Sequence, residues 1–321
     1  MSFSVLGTGS FVPERVVGND ELSGLVDTSD EWIFQRVGVR ERRVCTTETT
    51  AQMGCNAAVA ALEQAGVEPG EIDMILCATV SADTSSPSAA CVIQKMLGAV
   101  CPAMDVNAAC SGFIYMLDTA AGFFARGRVR KMLVIGAERL SRLVDWSDRD
   151  TCVIFGDGAG AAVLGEGSNY LASKLHARGN DEVIRVPAFH GASPFYLNEP
   201  EHPYIYMNGG ETFKFAVGAM ADDLNEVFKL AGVGAGQIAR VIPHQANIRI
   251  IESAIRKTGV PADRFCANIA KYGNTSAASI PLLLDEVNRE GKLKSGDYIA
   301  LTSFGAGLSS AACVIRWGAD Q

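Results

Sequence analysis

The sequence has little of what marks several whole classes of protein. Its 28 lysines and arginines are outnumbered by 36 aspartates and glutamates, which gives a formal net charge of -8. Because nucleic acids are bound largely through basic surface, we expect no nucleic-acid partner, and any acidic partner must meet a local basic patch. No apolar run approaches the roughly 18 residues of a membrane-spanning helix. The start, MSFSVLGTGS, also lacks the basic and apolar segments of a signal peptide, which favours a cytoplasmic protein without a membrane partner.

The cysteines lack a pairing pattern. All nine are scattered, and no two have the spacing C-x-x-C. An odd, scattered set is a poor basis for a zinc site or a disulfide framework. We therefore expect reduced cysteines, most of them buried, and no bound metal.

What the sequence does contain is an alternation of short apolar runs and longer amphipathic or alanine-rich segments. The runs predict strands at 74–81, 131–140, 159–167, 239–245, 297–305 and 310–317. The segments predict helices at 50–67, 88–99, 110–126, 210–233, 247–260 and 275–292. This alternation predicts an α/β protein with parallel sheets covered by helices. Helix ends are predicted at Gly66, Gly232, Gly259 and Gly291, and an N-terminal cap at Thr275 or Ser276.

The two halves end alike, in KMLVIGAERL followed by FGDGAGAAVLGEG and in DYIALTSFGAG followed by LSSAACVIRW. The similarity is short and rich in glycine and alanine, so alone it leaves duplication and chance equally open. Periodicity is lost within 166–210, where we expect the seam. The predicted halves are 1–170 and 171–321.

Cys110 is the first candidate for chemistry. It lies in DVNAACSGF, where an apolar run gives way to the predicted helix at 110–126. Near a helix N-terminus, free backbone amides and the helix dipole lower the pKa of a thiol. Its small neighbours leave room for a substrate. A single cysteine is more often an inert core residue, so local context leaves both interpretations open.

Two polar side chains occupy similar junctions in the second half. His244 ends the predicted strand at 239–245, at the edge where α/β proteins usually place their sites. Asn274 follows a glycine in KYGNTSAAS, at the head of the predicted helix at 275–292. Alone, His244 is as often structural as functional, and such an asparagine is usually a turn residue or a cap. Together with Cys110, the three groups make a stronger case for a catalytic site than each does alone.

Two glycine loops, FGDGAG at 155–160 and FGAG at 304–307, separate predicted strands. Each fits a tight turn. Alternatively, amides near 305–307 face Cys110 and complete an oxyanion hole with its own N–H. Neither loop has the spacing or the acidic residue of a dinucleotide site, nor the lysine of a P-loop, so we expect no nucleotide cofactor.

Taken together, these motifs resemble the β-ketoacyl-acyl-carrier-protein synthase III family, condensing enzymes of the thiolase superfamily. The similarity is carried by GTGSFVPE, DTSDEWI, PSAACVIQKMLG, NAACSGF, FGDGAGAAVL, PHQANIRII, GNTSAAS and FGAG. The resemblance implies a thiolase-like, duplicated α-β-α-β-α five-layered fold and a homodimer. It also implies a catalytic triad at Cys110, His244 and Asn274.

The resemblance further implies the reaction. A primer acyl-CoA acylates Cys110 while amides of Cys110 and Ala306 hold the oxyanion, and coenzyme A leaves. Malonyl-acyl-carrier protein then loses CO2, and its enolate, held by donors on His244 and Asn274, attacks the acyl-cysteine. An asparagine cannot act as a base, so the pair suits charge stabilisation. No cofactor beyond the coenzyme A thioester substrate is implied.

Coenzyme A contacts are implied by the same resemblance. They fall on Trp32, Arg36 and Arg149 at the adenine and on Thr28, Phe213, Ala246 and Asn247 along the pantetheine arm. Stacking of adenine between an indole and a guanidinium is physically sensible. The chain departs from the family at Val37, Asp150 and Gly210, and it carries Ala306 where some members have glycine, a change that keeps the amide donor.

A basic patch and a pocket residue complete the expectations. Arg249, Arg256 and Lys257 share one face of the predicted helix at 247–260, and Lys214 can join them to dock the acidic carrier protein; an ordinary solvated face would look the same. In the family, the residue before the proline of SSPSAAC reaches the partner's acyl pocket. Here it is Ser86, which predicts a pocket deeper than acetyl needs and thus longer or branched primers.

Three alternatives stay open. The chain could be a related acyltransferase or condensing enzyme of secondary metabolism, or a catalytically silent partner subunit. Silence predicts the loss of a triad member, whereas all three are present. A biosynthetic thiolase fits less well, because SFGAGLSS lacks the second catalytic cysteine of those enzymes.

Overall fold

Thirteen strands and ten α-helices make up the part of the chain described by the structure, a computed structural model covering residues 2–187 and 203–318. The strands are β1 (Ser2–Phe11), β2 (Val16–Gly18), β3 (Glu41–Arg43), β4 (Met74–Ala78), β5 (Ala103–Val106), β6 (Lys131–Arg139), β7 (Asp157–Gly167), β8 (Tyr170–Asn180), β9 (Ile184–Arg185), β10 (Tyr206–Met207), β11 (Ile238–Pro243), β12 (Tyr298–Gly305) and β13 (Gly307–Arg316). The helices are α1 (Asn19–Leu22), α2 (Asp30–Val37), α3 (Thr50–Ala65), α4 (Ala89–Leu97), α5 (Gly112–Ala125), α6 (Arg149–Cys152), α7 (Gly209–Ala231), α8 (Ile248–Thr258), α9 (Ile269–Tyr272) and α10 (Ser279–Arg289).

Two sheets with matching strand order form the frame. The first sheet runs β1-β7-β6-β4-β5, and the second runs β11-β12-β13-β8. In each, a parallel pair (β4 with β6, β11 with β12) continues into two antiparallel pairings. Both sheets are therefore mixed, and the expectation of parallel sheets holds for three of their seven pairings. An apolar run predicts that both faces of a strand are buried. Both faces of β7 and β13 are buried, as in the parallel strands, although β7 and β13 pair antiparallel.

The helices divide the molecule into five layers. Helices α5 and α10 lie between the sheets, where one cluster of buried side chains includes Phe113, Ile114, Leu283, Leu284 and residues of both sheets. Helices α3 and α4 cover the other face of the first sheet, and α7 and α8 cover that of the second. The small residues of α3 allow its close contact with β1 and β7.

The helix ends largely follow the sequence signals. Gly66, Gly232 and Gly259 are left-handed C-caps, as expected from their freedom at positive φ. The predicted cap at Thr275 or Ser276 is wrong. Neither hydroxyl caps a helix; Ser276 is itself left-handed, with φ of 49°, and α10 begins only at Ser279 after a 3₁₀ turn.

The change of sheet falls between β7, which ends at Gly167, and β8, which begins at Tyr170. Of the expected seam at 166–210, residues 188–202 lie outside the described residues.

All nine cysteines are free; four are buried and five are half-buried, so fewer are fully buried than expected. Within 2–187 and 203–318, no helix combines the length and apolar character needed to cross a membrane.

Candidate active site

Segments that follow strands of both sheets line an apolar cavity of about 520 Å³. Its lining includes Cys110, His244 and Asn274 together with Gly305 and Ala306. The structure thus brings the three predicted catalytic side chains and the second glycine loop to one place.

Cys110 lies in a tight turn between β5 and α5. Residues Ala109–Ser111 form a 3₁₀ turn, and α5 begins at Gly112. Ala109 is left-handed, with φ of 46°, which costs a residue other than glycine about 1–2 kcal/mol. The turn is thus held by its surroundings, and it aims the cysteine at the cavity.

Burial changes the acid–base expectation for Cys110. Removal of the thiol from water raises its pKa to about 12, although hydrogen bonding with Ser276 lowers it, and the charge of Glu138 raises it further. The expectation of a pKa lowered toward a thiolate is therefore wrong. Desolvation is the largest cause of the shift, and the Ser111 amide in this turn is already bonded to the Ala108 carbonyl at 3.0 Å. A pKa raised this far favours the thiol form of Cys110 at neutral pH.

His244 is buried at the end of β11, and its backbone N–H donates to the Thr302 carbonyl at 2.8 Å. Its Nδ1 lies 2.7 Å from Ser279 Oγ, while Nε2 is buried without a protein partner. The Phe304 ring packs edge-on at 5.4 Å between centroids. Burial lowers the pKa of His244 to about 3, so the ring is neutral and a weak base.

Asn274 is fixed through its backbone and its side chain. Its N–H donates to the Ile154 carbonyl at 2.9 Å, and its carbonyl accepts from Gly156 at 3.0 Å. The side-chain Oδ1 accepts from the Ser276 N–H at 2.8 Å, which leaves the Nδ2 amide as a donor for the cavity. Gly156, in the first glycine loop, permits the hydrogen bond from its N–H to the Asn274 carbonyl, since a Cβ at this position would lie 2.2 Å from the Tyr272 carbonyl.

The second glycine loop is the tip of the β12–β13 hairpin. A Cβ on Gly305 would lie 2.9 Å from the Cys110 nitrogen and 3.0 Å from its Cβ. Only glycine allows this approach, which places the backbone of Gly305 and Ala306 beside the nucleophile. The two residues predicted to supply the oxyanion amides, Cys110 and Ala306, thus both line the cavity.

The residues expected at the adenine form a cluster on α2 and α6. The Arg149 guanidinium lies 4.9 Å from the centroid of Trp32, and that of Arg36 lies 5.6 Å from it. Arg149 also donates to the Asp27 carbonyl at 2.9 Å. Because the Arg149 guanidinium lies over the indole, an adenine that inserts between these two groups requires this side chain to move.

The other expected coenzyme A residues divide into two groups. Phe213, Ala246 and Asn247 line the cavity, as do the family departures Val37, Asp150 and Gly210. Asn247 has a structural task as well, since its Oδ1 caps α8 and its Nδ2 donates to the Arg36 carbonyl at 3.1 Å. Thr28 does not line the cavity, and its Oγ1 is buried without a partner in the protein.

The basic residues and Ser86 lie farther out. Lys214 on α7 and Arg249, Arg256 and Lys257 on α8 are all exposed, and Arg249 also lines the cavity. Ser86 is exposed and does not line the cavity of the single chain.

Sequence reasoning missed Glu138, a charged residue on the apolar strand β6. It is fully buried, and it accepts hydrogen bonds from Thr79 Oγ1 at 3.2 Å, the Val80 N–H at 3.1 Å and Ser81 Oγ at 2.5 Å. Burial raises its pKa to about 7, although these hydrogen bonds and one from Ser276 lower it. A lone glutamate within KMLVIGAER was the signal available.

The serines of GNTSAAS were also missed as parts of the site. Ser276 bonds Asn274 and Ser279 bonds His244, so one short segment contacts both polar groups. The available signal was that both serines lie within five residues of Asn274, in the motif GNTSAAS.

Comparison with known proteins gives consistent matches. The family model for 3-oxoacyl-[acyl-carrier-protein (ACP)] synthase III matches residues 104–179, and that for its C-terminal part matches 228–317. A protein of Oceanobacillus iheyensis named beta-ketoacyl-[acyl-carrier-protein] synthase III is 48% identical, with 99% of this chain and 100% of that protein covered.

Solved structures match equally well. The 3-oxoacyl-[acyl-carrier-protein] synthase III of Aquifex aeolicus superimposes with a TM-score of 0.92 at 44% identity, over 98% of this chain and 100% of that one. The priming beta-ketosynthase of the R1128 polyketide pathway gives a TM-score of 0.91 at 34% identity, over 100% and 97% of the two chains. The predicted thiolase-like five-layered fold is confirmed.

Proposed function

The chain belongs to the β-ketoacyl-acyl-carrier-protein synthase III family of condensing enzymes, and from that premise we propose its reaction. It joins a primer acyl-CoA to malonyl-acyl-carrier protein through an acyl-Cys110 intermediate, which initiates fatty-acid synthesis. The products are β-ketoacyl-carrier protein, coenzyme A and CO2. The observation that carries the proposal is the apolar cavity in which Cys110, His244 and Asn274 meet the backbone of Gly305 and Ala306.

In the first half-reaction, Cys110 Sγ attacks the thioester carbonyl of the primer. The amides of Cys110 and Ala306 stabilise the oxyanion, and the thiolate of coenzyme A leaves. Because burial raises the pKa of Cys110 to about 12, the thiol loses its proton during the attack, and the departing thiolate regains one. The net transfer is the acyl group from one sulfur to the other.

In the second half-reaction, His244 and Asn274 hold the thioester oxygen of the malonyl group. Loss of CO2 leaves negative charge on this oxygen, and the enolate carbon then attacks the acyl-cysteine. The Asn274 amide suits this role because its Oδ1 is already bonded to Ser276. A neutral His244 suits a donor better than a base, since burial holds its pKa near 3.

Coenzyme A is proposed to enter past α2 and α8 toward the cavity. The Trp32 indole and the guanidinium groups of Arg36 and Arg149 lie together and offer a stacking surface and positive charge for the adenine nucleotide. Phe213, Ala246 and Asn247 would contact the pantetheine arm. Thr28, whose buried Oγ1 does not line the cavity, would contact it only after a local rearrangement. No further cofactor or metal is proposed.

The acidic carrier protein is proposed to dock on α7 and α8. Lys214, Arg249, Arg256 and Lys257 are exposed there in a chain whose net charge is -8. Lys257 Nζ donates to the Val217 carbonyl at 3.3 Å, and the Arg249 guanidinium lies 5.1 Å from the Phe213 ring. A local basic surface beside the cavity would steer the acidic carrier protein toward it despite the negative net charge of the chain.

A homodimer is proposed from the edge of the first sheet. Strand β5 is an edge strand in the part of the chain that is described. Met104 on β5 and Val100 just before it are 37% and 94% exposed, and Met96 on α4 is 45% exposed. An apolar, unpaired edge favours pairing with a second copy. Ser86 would then reach the acyl pocket of the partner, where its small side chain leaves room for longer or branched primers.

A second candidate is a condensing enzyme of secondary metabolism with the same acyl-cysteine step. The 34% identity to a polyketide priming ketosynthase favours it. The two candidates differ in the carrier protein that accepts the acyl group. We propose a cytoplasmic enzyme in either case.

A primer panel tests the proposal. The protein is incubated with acetyl-, branched-chain and medium-chain acyl-CoA, acylation is read by intact mass, and malonyl-carrier protein is then added. We expect an adduct absent from Cys110→Ala, branched or medium primers at least as fast as acetyl, and a β-ketoacyl-carrier protein product. A strict acetyl preference would contradict the pocket proposal, and adducts without condensation would contradict the function.

A further inference from the structure

The buried surroundings of His244 contain one hydroxyl that touches its ring. Ser279 Oγ lies 2.7 Å from Nδ1, and both side chains are 1% exposed. Among the described residues this is the one hydrogen bond of the imidazole ring, because Nε2 is buried without a hydrogen-bond partner. The protonation of Nδ1 therefore depends on Ser279.

The geometry allows two arrangements of protons. The Ser279 hydroxyl lies 2.8 Å from the Ser276 carbonyl as well as 2.7 Å from His244 Nδ1. If it donates to the carbonyl, Nδ1 must carry a hydrogen and donate to Oγ, which leaves Nε2 bare. If it donates to Nδ1, the single hydrogen of the neutral ring lies on Nε2.

Two observations favour the second arrangement. The Ser276 carbonyl already accepts the backbone N–H of Ser279, so it keeps a partner when the hydroxyl turns away. His244 and Asn274 line the same cavity, and Nε2 is the ring nitrogen that Ser279 does not contact. A protonated Nε2 gives two converging donors, whereas a bare Nε2 would place a lone pair against the same substrate oxygen.

We propose that Ser279 is a positioning residue whose hydroxyl donates to Nδ1 of His244 and keeps the ring proton on Nε2. The Ser276 N–H performs the parallel task on Asn274, at 2.8 Å from Oδ1. One segment, residues 276–279, thus orients both donors. The contact of Ser279 with Nδ1 does not depend on the proposed function, whereas the consequence for catalysis rests on the proposed condensation.

Loss of the hydroxyl has a defined consequence. In Ser279→Ala no group holds Nδ1, so the ring should exist as a mixture of tautomers. Removing one donor from a developing oxyanion typically costs about 10²- to 10³-fold in kcat, and a mixed population costs less. We expect kcat for condensation to fall about 10-fold, KM for malonyl-carrier protein to stay unchanged, and acylation of Cys110 to stay within about twofold.

Nitrogen NMR on histidine-labelled protein reads the tautomer without substrate. Protonated and bare imidazole nitrogens resonate in separate ranges, and His244→Gln identifies the His244 signals among the four histidines. We expect the proton on Nε2 in the unsubstituted protein and a mixture in Ser279→Ala. Ser4→Ala is the matched control, because Ser4 is an equally buried serine that accepts one side-chain hydrogen bond, from Asn169, on β1.

Each outcome is decisive. A proton on Nδ1 in the unsubstituted protein would overturn the proposal, even if Ser279→Ala fails to fold. An unchanged Nε2 tautomer in a folded Ser279→Ala would also overturn it. If the unsubstituted protein condenses no primer with malonyl-carrier protein, the proposed function fails, while the tautomer result still decides the role of Ser279.

Discussion

Cys110 meets His244 and Asn274 at one cavity, but their junctions are built by different means. Around Cys110 the backbone sets the geometry, through left-handed Ala109 and the contact with Gly305. Around the other two, side chains are fixed by hydrogen bonds of 2.7 and 2.8 Å from the segment at 276–279.

The difference matches the demands on each group. In the proposed reaction Cys110 gains and loses an acyl group, so its sulfur needs space, and the contact with Gly305 lies at its backbone nitrogen and Cβ. Donors that stabilise developing charge act best when their direction is set before the reaction, which buried hydrogen bonds achieve. The comparison predicts that a change around His244 or Asn274 leaves acylation of Cys110 intact. It likewise predicts that a change around Cys110 leaves the donors for condensation intact.

The largest expected effect comes from Asn274. Asn274→Ala removes one oxyanion donor, so condensation should fall about 10²- to 10³-fold, while acylation of Cys110 stays within about threefold. Acylation is read by intact mass, and condensation by product formation.

Asn274→Asp is the companion variant, because it keeps an oxygen for the Ser276 N–H and replaces the amide donor with a second carboxylate oxygen, which adds a negative charge. It should lose condensation as fully as the alanine variant. Loss of acylation in both variants would show that the two junctions are not independent.

A smaller effect is expected from Gly305→Ala, which changes the surroundings of Cys110. The new Cβ would lie 2.9 Å from the Cys110 nitrogen, so the turn must move. Overpacking of this kind costs about 1–3 kcal/mol of stability, and displaced amides should slow acylation about 10-fold or more.

Thermal unfolding and the rate of acylation by primer-CoA measure the two effects. Gly122→Ala, on α5 with open space around its Cβ position, is the control. It should leave acylation unchanged and raise stability by up to about 1 kcal/mol, because alanine is the better helix former. Normal acylation in Gly305→Ala would mean that close backbone contact does not set the nucleophile's geometry.

Local patterns predicted six of the strands and the six longest helices of the described chain, together with the candidate residues. The six predicted strands lie within two or three residues of β4, β6, β7, β11, β12 and β13. The short strand β5 and the half-polar β8 have no comparable apolar run and were not predicted. Strand direction also could not be predicted, since an apolar run reports burial on both faces and not the direction of its neighbour.

The chemistry of the site depends on contacts that local patterns do not contain. The helix position of Cys110 is local and was predictable, whereas the desolvation that raises its pKa comes from the whole cavity wall. Ser276 has the residue type of a cap, but its left-handed backbone turns its N–H to Asn274 instead. Ser279 acquires its partner from β11, 35 residues away.

The smallest expected effect tests the electrostatics of the nucleophile. The charge of Glu138 raises the pKa of Cys110, so Glu138→Gln should lower that pKa and speed alkylation of Cys110 above about pH 8 by roughly three- to tenfold, where one pKa unit is a factor of ten. The pKa of Glu138 is itself raised to about 7 by burial. Below about pH 6 the carboxyl is neutral in the folded protein, and the two rates should converge.

The pH dependence separates charge from packing. The other ionisable groups that face Glu138, namely Cys77 and Arg142, are present in both proteins. Peptide mass mapping isolates Cys110 from the other cysteines, and Glu166→Gln, an exposed carboxylate on β7, is the control. A variant that differs by the same factor at every pH would indicate that Glu138 acts by holding residues 79–81 in place. A difference confined to high pH would indicate that a buried charge keeps Cys110 protonated until substrate arrives.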